Sequence, residues 1–329
     1  MKRFSCFLLM ICIFLSFPLG IHAQSTYSII GNIIDNSNAP ALIQSSSPSG
    51  AVAIARNMST GSTFYYRVSG AVLSNSPPLI SHGFFPQENS FISNESLSPN
   101  QIITPNENTK ITDADELPYS AICYVEITFP NREDPYSATA FMISDNVAMT
   151  AGHCLYNENY GGWATEVKVY PGKSGYGFFN NPFGTATATE IVVSTQHYET
   201  NSQYVDNYDW GFINLGSDDI GNDSGYLGFR YKTGGMNGMS IKVSGYPNPD
   251  ENDIQYYQYQ DSGTINYVAD YVMNHTASTE EGQSGAPVFY WDSSEQEWIV
   301  IGINVAYSGA DNVCVGFYDT LYSFAWSYK

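Results

Sequence analysis

Val147-Ala148-Met149-Thr150-Ala151-Gly152-His153-Cys154 sets a short β-prone run directly before a histidine. A strand that ends there holds its last residues rigidly and lets the next side chain reach a cleft, as a general base requires. A lone histidine is more often structural, so the reading depends on what accompanies it. Tyr208-Asp209-Trp210-Gly211-Phe212-Ile213-Asn214-Leu215 puts a carboxylate at the head of an apolar strand. A buried carboxylate needs partners, and the ring NH of an imidazole supplies one; Asp206 is the better fit to a solvated turn. Glu280-Glu281-Gly282-Gln283-Ser284-Gly285-Ala286-Pro287-Val288 places a serine between glycines and then enters a strand. Gly282 and Gly285 permit a tight turn that aims the NH groups of Gly282 and Ser284 at one point, as an oxyanion hole would. Each signal alone is common. Their order, His153, Asp209, Ser284, is one of the known chain orders for a base, its orienting acid and a nucleophile.

Around these stretches, short β-rich runs alternate with Gly, Pro, Asn and Asp: 121–129, 138–143, 147–150, 166–170, 190–194, 210–215, 241–245, 256–267, 286–290 and 298–305. This is the spacing of an all-β barrel or sandwich. Thr320 to Tyr328 reads as a short C-terminal helix.

Residues 1–23 read as a secretory signal peptide: Lys2 and Arg3 precede the apolar run Phe7 to Leu15, followed by Pro18, Gly20 and Ile21-His22-Ala23. The run is too short to span a bilayer. Gln24, rather than a cysteine, follows Ala23, so no lipid attachment point is present there. A secreted, extracellular protein without a membrane anchor is expected. Residues 24–101 carry two basic and three acidic side chains, whereas 102–329 carry eight and 29. That step suggests a pro-segment over 24–101 followed by one catalytic unit over 102–329, two permanent domains being the alternative. The net charge of −20 repels polyphosphate and anionic membrane surfaces, which argues against nucleic-acid and membrane partners. Cys6 and Cys12 leave with the signal; Cys123, Cys154 and Cys314 allow one disulfide plus a free thiol in three pairings.

The sequence resembles the chymotrypsin-fold serine endopeptidases, and within them the bacterial glutamyl endopeptidase branch. The resemblance runs from Ile102 to about Phe317. It rests on Ile102-Ile103-Thr104-Pro105-Asn106, Ile111-Thr112-Asp113, Thr150 to Cys154, Asp209 to Leu215, Ser244-Gly245-Tyr246-Pro247, Gly282 to Phe289 and Ile301-Gly302-Ile303. It implies two antiparallel six-stranded β-barrels with the active site between them. His153 would be the base, Asp209 its partner, Ser284 the nucleophile, and Gly282 and Ser284 the oxyanion donors. Ile102 would begin the mature chain, its freed N-terminus folding back to the substrate pocket. Thr279 matches the branch's pocket threonine, but Asn304 stands where the branch has a histidine that helps hold a glutamate carboxylate. A neutral amide cannot supply charge, so strict glutamate preference is not expected; His275 is the compensating candidate, with a structural role as the alternative.

The function expected is peptide-bond hydrolysis through an acyl-enzyme, by a monomer acting on protein or peptide substrates with no cofactor and no metal. The competing class is a catalytically inactive homologue serving as a secreted binding module, which would normally lack a triad member. No HExxH-type pair supports a metalloenzyme.

Overall fold

The computed structural model describes residues 41–68, 80–86, 108–177, 180–200, 206–248, 256–308 and 311–329. The expected signal peptide and the expected start at Ile102 lie outside these residues. Everything described belongs to one unit, Ser37–Lys329.

The chain enters with β1 (Leu42–Ser45), β2 (Ala53–Asn57), β3 (Thr63–Val68), β4 (Ile80–Ser81) and β5 (Thr109–Lys110). The first barrel then uses β6 (Ile122–Thr128), β7 (Tyr136–Met142), β8 (Val147–Thr150), β9 (Tyr156–Asn157), β10 (Gly162–Trp163), β11 (Glu166–Pro171), β12 (Ala186–Thr187), β13 (Glu190–Ser194), the short helix α1 (Thr195–Glu199) and β14 (Gly211–Asn214). Its closure depends on one bent stretch. β12 pairs with β11 and β13 with β14, so residues 186–194 bridge the two ends of the path β14-β8-β7-β6-β11. Every pairing around this ring is antiparallel. Inside lie Val125, Ile127, Val167, Ala148, Ile191, Val193 and Ile213, all fully buried and on one face by register.

After α2 (Gly221–Ser224) and β15 (Gly228–Arg230), the second barrel follows as β16 (Ser240–Gly245), β17 (Tyr259–Val268), β18 (Val272–His275), β19 (Pro287–Asp292), β20 (Glu297–Ser308) and β21 (Asp311–Gly316). The order β19-β16-β17-β18-β21-β20 returns to β19 and closes a six-stranded antiparallel ring. Alternate residues of a strand point to one face, and the inward set here (Ile241, Val243, Ile265, Met273, Val288, Ile301 and Cys314) forms its core.

The chain ends in α3 (Asp319–Tyr328). Asp319 sits in its first turn, where the helix dipole favours negative charge. The helix buries Phe324 against Trp210 and Phe212 of the first barrel. The two barrels and the terminal helix match the expected chymotrypsin-like architecture.

Two sequence expectations need correction. In sequence, residues 24–101 show polar runs with their clearest strand-like piece over 64–68. Instead β2 and β3 form a hairpin that continues the first sheet beyond β13, with β1 on its outer edge, while β4 pairs with β15 of the second sheet. The hairpin turn is local chemistry: Asn57 Oδ1 accepts from the Thr60 amide at 2.9 Å, and Gly61 takes φ +69°, a conformation glycine reaches without strain. Cys123, Cys154 and Cys314 are free, buried thiols rather than partners in a disulfide. Burial pushes the Cys123 thiol up strongly and that of Cys314 to about 12.

Candidate active site

Strand register brings the first two site residues together. β8 and β14 are antiparallel neighbours with Thr150 opposite Gly211. His153 lies three residues beyond Thr150, in a single 3-10 turn, and Asp209 two residues before Gly211, so both emerge at the same end of adjacent strands. Asp209 Oδ1 accepts from the His153 amide at 2.8 Å, and Asp209 Oδ2 lies 2.6 Å from His153 Nδ1. A proton on Nδ1 then serves the carboxylate and leaves Nε2 free to accept one.

Burial alone would raise the Asp209 carboxyl. The charges of His153 and His197 and the hydrogen bonds from His153 outweigh it and hold Asp209 down to about 2. Burial alone would lower His153, but Asp209 and, secondarily, Cys154 raise it well above 6.5.

His197 was absent from the sequence reading of the site. It projects from α1, whose N-cap Ser194 accepts from the His197 amide at 2.9 Å. Its Nδ1 stands 3.6 Å from Asp209 Oδ1 and its Nε2 3.2 Å from the Tyr156 carbonyl oxygen, so both ring nitrogens face acceptors. Since β13 lies beside β14, the helix that follows β13 opens at the same end as His153 and Asp209. No local sequence signal marks this residue; its role arises from register.

Ser284 comes from the turn between β18 and β19 of the other barrel. Thr139 of β7 fastens that turn to the first barrel: its amide donates to the Ser284 carbonyl at 2.9 Å and its hydroxyl to the Gly282 carbonyl at 2.9 Å. Thr150, which ends the strand leading to His153, donates its hydroxyl to the Thr139 carbonyl at 2.7 Å. Gly285 lies against both threonines with φ +86°, and a β-carbon there would fall 2.1 Å from the Thr139 carbonyl oxygen and the Thr150 hydroxyl. Among the described residues, the NH groups of Gly282 and Ser284 meet no backbone acceptor. Tyr136, also missed from sequence, interacts electrostatically with Ser284 and His153; burial raises its pKa to about 12.

The three pocket candidates lie at different depths. Thr279 is half-buried, while Asn304 and His275 are buried. His275 Nε2 lies 3.3 Å from Asn304 Oδ1, and Asn304 Nδ2 donates to the Gln283 carbonyl at 3.0 Å. Asn304 thereby braces the backbone next to Ser284. Burial lowers His275 to about 4 despite the opposing hydrogen bond to Asn304, so its ring is neutral at neutral pH. Glu280 and Glu281 are exposed, and Asn108 Nδ2 donates to Glu280 at 3.2 Å. Among the described residues, no three His, Cys, Asp or Glu side chains converge as metal ligands.

A double antiparallel barrel with a His–Asp pair on one half and a glycine-flanked serine on the other defines the chymotrypsin-like class. The chain belongs to the trypsin family, whose description, Trypsin, matches residues 110–326. It is similar to the glutamyl endopeptidase of Bacillus licheniformis, 33% identical over 193 residues that make up 59% of this chain and 56% of that protein. It is also similar to a Bacillus subtilis protein named extracellular metalloprotease, 31% identical over 196 residues and 59% of each chain. The matched part is thus less than two thirds of either relative. Among solved structures, a Glu endopeptidase in complex with MPD matches 68% of this chain and 97% of its own, with a TM-score of 0.57 at 28% identity. The protease Anisep from Arthrobacter nicotinovorans shares the fold, with a TM-score of 0.50 at 22% identity over 64% of this chain and 97% of its own.

Proposed function

We propose that the chain is a secreted serine endopeptidase made as a precursor, with Ser284 as nucleophile, His153 as base and Asp209 as its orienting partner. The observation that carries this reading is the two-point contact of Asp209 with the His153 amide and ring, on strand ends to which Thr139 and Thr150 fasten the Ser284 turn. The Ser284 oxygen attacks a peptide carbonyl while His153 Nε2 takes the hydroxyl proton. The NH groups of Gly282 and Ser284 receive the negative charge that develops on the carbonyl oxygen. His153 returns the proton to the leaving amine as the C–N bond breaks, leaving an ester on Ser284. Water then loses a proton to His153 and attacks the ester, and Ser284 departs reprotonated.

The same site supports a weakened preference for glutamate. Asn304 spends both ends of its amide on protein partners and His275 is neutral, so neither brings positive charge to a carboxylate. The remaining candidate is the amine freed by cleavage near Asn100 to Ile102. Ile102 lies six residues before Asn108, which touches Glu280. At about 3.3 Å per residue, six residues reach roughly 20 Å, enough to bring that amine to the pocket. The amino-terminal signal pattern and the word extracellular in the name of the Bacillus subtilis relative support secretion.

The test is active-site labelling. A fluorophosphonate probe should modify processed wild type and not Ser284→Ala, whose turnover should drop by about three orders of magnitude or more. Equal labelling of the variant, or activity abolished by a zinc chelator with no serine labelled, would overturn the assignment.

A further inference from the structure

The described part of the expected pro-segment, 41–68 and 80–86, is built into both barrels, and its contacts among the described residues lie away from Ser284. On the first barrel, β2 is a central strand: it pairs with β3 on one side and over five residues with β13 on the other, from Glu190 opposite Asn57 to Ser194 opposite Ala53. Ala53, Ile54 and Ala55 are buried. Tyr66 of β3 donates to Glu190 at 3.0 Å, Tyr328 of α3 donates to the same carboxylate, and the Tyr66 ring packs edge-on against Phe324 and Tyr328. Without β2, the apolar strand β13 would become an unpaired sheet edge.

On the second barrel, Ser81 is fully buried, and Glu297, itself buried, takes its partners from the same segment: His82 Nδ1 and the Gly83 amide at 3.0 Å. Removing the segment would strand that carboxylate. The fit is glycine against backbone. A β-carbon on Gly228 would lie 2.5 Å from the Ser81 carbonyl oxygen, and one on Gly83 would lie 2.5 Å from that of Tyr226.

We infer that residues 41–86 stay bound after processing, as a non-covalent second chain that clasps the two barrels of the active enzyme. This rests on the reading that the precursor is cut near Asn100 to Ile102. The fold requires no movement of the segment's described residues to expose the site, because their partners include β13, α1, α3, β15 and β20 and, among the described residues, neither His153, Asp209 nor Ser284.

The experiment makes the cut independent of natural processing. In the full chain carrying Ser284→Ala, which removes self-digestion, residues 95–101 are replaced by the recognition sequence of an unrelated site-specific protease, and the folded protein is cut in vitro. Denaturing electrophoresis should show two fragments, and size-exclusion chromatography should show them co-eluting one to one. Ile54→Asp should abolish co-elution. Release of the amino-terminal fragment from the cut Ser284→Ala protein, whether or not the remainder stays folded, would overturn the clasp, as would retention in the Ile54→Asp protein. Amino-terminal sequencing of naturally processed material reads the cleavage site separately, so a different start would correct the processing reading and leave the clasp standing.

Discussion

At the level of single residues, the raised His153 pKa has opposite consequences for activity and stability. As a base the ring must be neutral, so kcat/KM should fall as pH drops through a midpoint above the ordinary value of 6.5. The charged ring contributes stability that is fully present below the unfolded pKa and is lost as pH rises through the folded one. Across the interval from 6.5 up to the raised value, activity should therefore climb while Tm declines, a pairing that a pH series of rates and melting curves measures directly. Activity unchanged down to about pH 4 would point away from a histidine base. Asn304 bears on specificity. Asn304→His should raise cleavage after Glu relative to Gln, because one charge-assisted hydrogen bond adds roughly 1.5 to 3 kcal/mol, about one to two powers of ten. An unchanged ratio in an enzyme already selective for Glu would assign the charge to another group. His153, Asp209 and Ser284 are legible in the sequence because each sits in a stretch whose neighbours constrain it. His197 and Tyr136 are not, since both owe their partners to strands brought together only by folding.

Among the elements, α1 links the amino-terminal strands to the site. The Thr195 amide, at its start, donates to the Val52 carbonyl at 3.1 Å just before β2, and His197, two residues on, faces Asp209. His197→Ala should lower kcat by about tenfold with little change in KM, the pattern expected when a group that positions the acid is lost and substrate contacts are kept. A rise in KM at constant kcat would instead place His197 in substrate binding. The apolar strands of both barrels were readable from alternation and turn residues, including β6, β8, β13 and β14. β2 was not, because Ala53-Ile54-Ala55-Arg56-Asn57 offers a single strongly β-prone residue and becomes a strand by tertiary pairing with β13. β21 escaped similarly: its Asp311 and Asn312 read as turn chemistry, yet Asn312 is buried, with its amide donating to the Ala277 carbonyl at 2.6 Å.

For the whole molecule, three buried thiols and no disulfide among the described residues mean that cohesion is carried by packing and hydrogen bonding. Dithiothreitol at millimolar concentration should leave Tm unchanged within about 1 °C, since a structural disulfide typically contributes 2–4 kcal/mol and its loss would move Tm by several degrees. A larger drop would reveal a cross-link. Charge asymmetry along the chain suggests a boundary near residue 101, but it says nothing of whether the stretch before it is external to the barrels or part of them, because net charge does not encode strand pairing.

The two anchoring contacts also order events in time. Tyr66 and Glu190 are 124 residues apart, and His82 and Glu297 are 215 apart. Ribosomes make these amino-terminal strands first, yet their partners emerge only later, and contacts so distant along the chain close slowly because of the loop entropy they must overcome. The hairpin β2–β3 must therefore wait, one edge unsatisfied, until β13 has been made. The His82–Glu297 contact has to wait longer still, because Glu297 opens β20 of the second barrel.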